Sequence, residues 1–358
     1  MTTHAAPPTT KEELLFLDRA AIRSCLADID PVAAVEDVLR AHAAGRTVLP
    51  AEGYLPWTNT QGAYCRSLAM LGSVAATDPA APAAYGMKLI NAATSNPAQG
   101  RDRAGGVGFL FDPETARPAV LAEAAYLSAL RTGAYTMSSL CHLGPRHFEE
   151  VTLIGCGAQA RTHAELLARY FPAVRTLHVH DLLPERAAAF ADWVESGPLP
   201  FTVTRHGLAA EAAAASRVVV TLTVTDTGYL APGDLRPGTF VAHVSLDDLL
   251  PEVFDRAQAL YVDDVELIRE NPRRVLGRLL DEGRVLAPGT TRPGTTTITG
   301  SLGDVLTGAV PAERPGDGTV VSNPFGMAVL DVGLLSRVYA HASAEGLGTR
   351  LDLLGADR

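Results

Sequence analysis

The sequence predicts an α/β protein in which a parallel sheet, covered by helices on both faces, is joined to a second α+β domain. Three observations lead there. After Pro145, short apolar runs alternate with segments of helical length, the pattern of strands linked by helical crossovers. A glycine-rich turn, Gly155-Cys-Gly-Ala-Gln-Ala160, sits where the first of those runs gives way to a helix. The chain has 358 residues, enough for two domains at roughly 100–200 residues each.

Along the chain, residues 1–10 read as a mobile tail. Residues 31–40 have helical spacing, with Val35, Val38 and Leu39 on one face and Pro31 in the first turn. Residues 46–75 hold short strand-like runs, and 76–84 form a turn-rich loop. Residues 85–90 and 106–111 read as strands, the second closed by Asp112 and Pro113. Residues 119–140 read as one long helix. The alternating part then runs strand 151–154, helix 158–170, strand 175–180, helix 184–194, strand 201–204 and helix 208–215. Strands at 217–222, 239–244 and 259–262 follow. After a Pro/Gly-rich stretch at 311–318 and a strand-like run at 319–321, the last element is a helix over 327–344. No internal repeat is present.

Composition narrows the function. With 47% hydrophobic and 20% charged residues, the chain can bury real cores and is not globally disordered. No apolar run approaches the roughly 18 residues a membrane span needs. The net charge of −10 argues against a nucleic-acid-binding surface. Residues 1–10 lack the basic-then-apolar order of a secretory signal. The four cysteines form no CxxC pair, and the ten histidines no HExxH, so no metal is expected and the thiols fit a cytoplasmic setting. His178 and His180 share a strand face but are too few for a metal site.

The glycine turn carries the strongest chemical signal. Following a strand and opening a helix, it has the form of the dinucleotide fingerprint. Gly155 permits the tight turn, Gly157 the close approach of a pyrophosphate, and Ala160 close helix–strand packing. Phosphates would sit at the helix N-terminus. Asp181 ends the second strand, where a carboxylate can bond a ribose 2′-hydroxyl and repel a 2′-phosphate, favouring NAD over NADP. It can equally cap the following helix. Arg66, Lys88 and Arg131 stand in otherwise apolar elements, as carboxylate binders or as snorkelling surface residues. Ser245-Leu-Asp-Asp248 follows a strand directly; one of its acids is either a general acid/base or a cap for a helix beginning near Leu250.

Taken together, these motifs resemble the ornithine cyclodeaminase/mu-crystallin family over roughly residues 30–346. The resemblance rests on Arg66-Ser-Leu-Ala-Met70, Gly86-Met-Lys-Leu-Ile90, Arg103-Ala-Gly105, residues 128–134 and the glycine turn, in that order. Residues 243–249, 262–265, 300–306 and 323–331 look most like the branch that makes 2,3-diaminopropionate. Departures are the absence of a Phe-Pro after the Lys88 strand, Asn323 where that branch has Ser, and Gly133 for an Ala.

The resemblance implies a discontinuous substrate-binding and dimerisation domain, 1–132 with 322–358, and a Rossmann NAD-binding domain, 133–321, with the active site in the cleft between them. Arg66, Lys88, Arg131 and Asn323 would bind the amino-acid substrate, and Lys88 and Asp247 would be catalytic. Gly155, Cys156, Gly157, Ala158, Gln159, Ala160, Asp181, Thr223 and Ser245 would hold NAD. The implied reaction takes a hydride from Cα of N-(2-amino-2-carboxyethyl)-L-glutamate and hydrolyses the imine to 2,3-diaminopropionate and 2-oxoglutarate. The protein would be a homodimer. The competing readings are an ornithine or lysine cyclodeaminase, a cyclic imine reductase, and a crystallin-like nucleotide-binding protein without turnover.

Overall fold

The computed structural model describes residues 12–76 and 82–355. The tail expected at 1–10, and residues 77–81 of the loop expected at 76–84, lie outside them. The chain divides into two compact units, one drawn from 1–30, 47–127 and 331–358, the other from 31–46 and 128–330.

The first unit is built on a mixed sheet. Its strands run Thr349–Asp352, Glu13–Leu17, Pro118–Glu123, Ala104–Phe111, Ala84–Ala93, Tyr64–Val74 and Thr47–Val48, and Gly53–Thr58 also pairs with Tyr64–Val74. Every pairing is antiparallel except that of Glu13–Leu17 with Pro118–Glu123. Glycines open one face of this sheet. A Cβ on Gly86 would meet Val332 at 3.2 Å, and one on Gly108 would meet Leu335 at 3.1 Å. Hydrogen on both Cα atoms therefore lets this stretch of the last helix, Ala328–Ala344, lie close on the strands.

Here one expectation is corrected. Residues 118–123 form a strand, and the helix runs Ala124–Leu143. Alanine-rich composition favours helix locally, but Val120 and Ala122 alternate into the core between two partner strands, and tertiary pairing wins. One partner, Glu13–Leu17, was not recognised in the sequence. Glu123 ends the strand and starts the helix, its carboxylate accepting the N–H groups of Ala125 and Tyr126 at 3.1 and 3.0 Å.

The second unit holds an all-parallel sheet. Its order is Thr202–Arg205, Thr176–His180, Glu150–Ile154, Val218–Thr221, Phe240–His243, Val320–Asn323, Ala259–Val262 and Gly300–Ser301. The central strands are buried throughout, which is why they read as continuous apolar runs. The chain starts mid-sheet with Glu150–Ile154, winds outward, then returns to add Val218–Thr221 on the other side. That reversal is the switch point beside which ligands of such sheets bind. Helix Pro31–Ala43 belongs to this unit. Its Glu36 accepts from Ser138 at 2.8 Å and lies 3.1 Å from His142 Nε2, both on Ala124–Leu143. The imidazole of His142 and the Ser138 hydroxyl outweigh burial and lower the Glu36 carboxyl to about 2.

Candidate active site

The glycine turn lies at the switch point. Gly155 has φ +99°, and a Cβ there would stand 2.7 Å from the carbonyl of Leu222. Only glycine lets the turn pass this close to the end of the neighbouring strand. Gly157 has open space where a Cβ would project and begins the helix Ala158–Tyr170 with no side chain capping it. With no capping side chain, the Ala158 and Gln159 N–H groups are open to an anion, while that of Ala160 turns back to the Gly157 carbonyl at 3.1 Å. Ala160 is fully buried. These features fit a dinucleotide.

Asp181 accepts from the Cys156 N–H at 2.9 Å and from the Leu183 N–H at 3.0 Å. It does not cap helix Pro184–Ser196, whose N-cap is Leu183; its main contact is with the glycine turn itself. Burial, then the Asp181 carboxylate, pushes the Cys156 thiol up to about 12, so this cysteine stays protonated and unreactive. Beneath the turn, His163 is fully buried, with Nδ1 2.8 Å from the Gln159 carbonyl and Nε2 3.1 Å from Thr136 Oγ1. Burial lowers its imidazole to about 4. Gln159 Oε1 is buried without a hydrogen-bond partner among the described residues, an acceptor still open beside the turn.

The Ser245-Leu-Asp-Asp248 loop leaves strand Phe240–His243 through Leu246, a non-glycine residue at φ +76°. Neither aspartate caps Pro251–Asp255, whose N-cap Leu250 receives no side-chain bond. Asp247, 6% exposed, pairs with Arg274 and accepts the Val275 N–H at 2.9 Å, at the start of helix Val275–Asp281. Asp248 is fully buried and accepts hydroxyls from Thr223 at 2.6 Å, from Tyr229 at 2.8 Å, and from Ser245. Burial opposes its charge, but nearby His243, then the Ser245 and Thr223 hydroxyls, hold it below the usual carboxylate range. In the sequence Asp248 stands only as one of two undistinguished acids, and Arg274 is not singled out. An aspartate beside another aspartate gives no sign of which one faces inward, and Arg274 sits in an unremarkable charged run.

Asn323 ends the strand that lies between Phe240–His243 and Ala259–Val262, and its Oδ1 is 2.7 Å from Nδ1 of His243. The turn after it is held by Asp263, whose carboxylate accepts the N–H groups of Phe325 and Gly326 at 2.9 and 2.6 Å. Burial pushes the Asp263 carboxyl up against those bonds. Gly326 has φ +103°, and a Cβ on it would meet the Arg131 guanidinium at 3.0 Å. The two terminal nitrogens, at 3.0 and 3.2 Å, are nearer that point than the guanidinium carbon at 3.6 Å, so the edge of the guanidinium faces a bare stretch of backbone, with Arg131 only 7% exposed.

In the first unit, Lys88 and Asp331 form a buried ion pair at 2.7 Å, each side chain 4% exposed. They line a small, mostly apolar pocket with Met87, Leu127 and Leu335. Lys88 pairs in register with Met70, four residues along the same strand face from Arg66. The two cations thus share a sheet face, offset by roughly 13 Å along the strand direction. Arg66 is half-buried. Asp331, a lone acid in the apolar run Ala328–Leu335, was legible in principle by the rule that singled out the cations. Among the described residues, no cluster of His, Cys, Asp or Glu could hold a metal, and no helix is long and apolar enough to cross a membrane. All four cysteines are free; Cys25, Cys65 and Cys156 are buried, whereas Cys141 is exposed.

A doubly wound parallel sheet with an uncapped glycine turn at its switch point and an acid ending the second strand defines a dinucleotide-dependent oxidoreductase. More narrowly, the chain belongs to the ornithine cyclodeaminase/mu-crystallin family, whose profile it matches over residues 16–346. It is 30% identical to an N-((2S)-2-amino-2-carboxyethyl)-L-glutamate dehydrogenase of Staphylococcus aureus, across 95% of this chain and 99% of that one. The crystal structure of CmnK is 65% identical and superposes with a TM-score of 0.89, covering 96% of this chain and all of its own. An archaeal alanine dehydrogenase dimer with bound NAD has the same fold at 23% identity and TM-score 0.76, covering 95% of this chain and 99% of its own.

Proposed function

We propose that this enzyme is an NAD-dependent amino-acid dehydrogenase. It oxidises the Cα–N bond of N-(2-amino-2-carboxyethyl)-L-glutamate and releases 2,3-diaminopropionate and 2-oxoglutarate. The observation that carries this reading is the full-length similarity to the Staphylococcus aureus dehydrogenase, together with buried, oriented side chains at Lys88, Arg131 and Asp247.

NAD, when bound, would supply the acceptor for the Cα hydride. Gly155, Cys156, Gly157, Ala158, Gln159 and Ala160 would hold its pyrophosphate end, Asp181 its ribose, and Thr223 and Ser245 would complete its site. Arg131, held against Gly326, offers its guanidinium to one substrate carboxylate, and Arg66 offers a second. Asp247 takes the amine proton and manages the proton of the attacking water. Lys88 steadies the oxygen that develops on the carbinolamine. Water supplies the oxygen of 2-oxoglutarate, and the C–N bond breaks to free the amine. Asn323 orients the substrate from the adjacent strand end. The enzyme works as a homodimer in the cytoplasm, and exposed Leu55, Trp57 and Tyr85 supply apolar surface for self-association.

The test is incubation with NAD and the glutamate adduct. NADH absorbance and 2-oxoglutarate by mass support the reading. Folded protein that stays silent with the adduct but reduces a cyclic imine overturns it in favour of an imine reductase. Asp247→Asn and Lys88→Ala should lose turnover by roughly 10²-fold or more while still binding NAD.

A further inference from the structure

We propose that Asp248, rather than acting on substrate, is the positioning residue of this site: its carboxylate gathers the cofactor-facing and catalytic groups into one rigid cluster. The inference rests on the functional reading above for the roles of Thr223, Ser245, Asp247 and Asn323. Its geometry is independent of the substrate.

Six hydrogen bonds meet at this residue. Its carboxylate accepts from Thr223 at the end of one strand, from Ser245 at the end of the next, and from the Tyr229 phenol. Its N–H donates to His243 Nε2 at 3.0 Å. Nδ1 of the same ring lies 2.7 Å from Asn323 Oδ1. Its carbonyl accepts the N–H groups of Tyr229 and Leu230 at 2.9 and 3.0 Å. Side chains that follow two parallel strands thus meet one buried carboxylate, and Asn323 at the end of a third is linked through His243 to the same residue's backbone N–H.

The cluster also explains Leu246. A leucine at φ +76° is in a region that L side chains rarely adopt and that persists only where neighbours enforce it. The Ser245–Asp248 hydrogen bond closes the turn across Leu246. The strained turn in turn directs Asp247 to Arg274 and the Val275 N–H. A carboxylate is needed, because it offers two acceptor oxygens to three hydroxyls where a neutral amide offers one.

The experiment is NADH titration by fluorescence, alongside thermal melting, on the full-length protein. Asp248→Asn should weaken NADH binding by about tenfold or more through the loss of charge-assisted hydrogen bonds to Thr223 and Ser245. Leu246→Gly placed on Asp248→Asn should restore part of that affinity, because glycine holds the turn without the clamp. Recovered NADH affinity without a matching recovery of the melting temperature separates positioning from a purely structural role. Wild-type affinity in Asp248→Asn, or no rescue by Leu246→Gly, overturns the proposal. Should Asp248→Asn fail to fold, Tyr229→Phe decides: a several-fold weaker NADH complex supports the proposal, and an unchanged one overturns it. Absence of turnover in the wild type with the glutamate adduct would count against the assigned reaction and leave the binding result standing.

Discussion

Lys88 Nζ donates to Asp331 Oδ2 across 2.7 Å, from a sheet strand to the last helix, with both side chains almost wholly buried. Removing one member leaves the other charge without this partner, a loss of roughly 3–5 kcal/mol, whereas replacing both with apolar groups is often neutral. Lys88→Met should therefore lower stability steeply in urea, and Lys88→Met with Asp331→Leu should recover most of it. Turnover should stay lost in the double variant. Recovered activity there would remove Lys88 from the mechanism.

Gly155 allows a second test. Alanine at φ +99°, 2.7 Å from the Leu222 carbonyl, costs of order 1–3 kcal/mol in strain. Calorimetric titration of Gly155→Ala should show NAD binding weakened by roughly 10- to 100-fold. Gly157→Ala, with open space at its Cβ, should fold normally and separate loss of a ligand cradle from loss of the turn.

Acid sensitivity should come from His163. Its buried imidazole titrates at about 4, against 6.5 in an open chain. The unfolded chain therefore binds the extra proton between those values. Stability contributed by the neutral ring is present above about pH 6.5 and is lost as the pH falls toward 4, by up to about 3 kcal/mol. Denaturant midpoints measured from pH 7 to pH 4 should show this slope, and His163→Gln should flatten it. Glu36, held at about 2 against 4.5, adds a further loss at lower pH.

Gly326→Ala should push a methyl into the Arg131 guanidinium, 3.0 Å from its Cβ position. Substrate KM should rise by about tenfold with NAD affinity unchanged, the mark of a lost or tilted bidentate carboxylate contact. Equal effects on KM and NAD binding would mean that the whole turn had moved.

The alternating half was the most legible part of the sequence. Its central strands are buried throughout and its helices are punctuated by glycine and proline, so period and breakers agree. The glycine turn was legible because φ > 0 and close backbone approach leave a residue-type signature. The strand Pro118–Glu123 was not, since its partner Glu13–Leu17 lies about a hundred residues earlier and no local pattern reports it. Within the site, the cations stood out against apolar neighbours. The partners of Asp247 and Asp248 did not, because hydrogen-bond direction in a run of two acids is set by contacts from residues 223, 229, 274 and 275. Leu246 was invisible for a related reason: leucine is the wrong residue type for its conformation, and only tertiary clamping puts it there.

Strand Val320–Asn323 fills the position between Phe240–His243 and Ala259–Val262. A nascent chain that has emerged only through residue 319 has two strands separated by a one-strand gap, each with an unpaired hydrogen-bonding edge. Ordering of the parallel sheet must then wait for a segment synthesised some sixty residues later, a long-range pairing of the kind that slows folding. During that interval the exposed edges invite pairing with other chains. Low expression temperature or chaperone supply, which lengthen the time available or shield the edges, should raise the yield of native protein more than any change in the first-made strands.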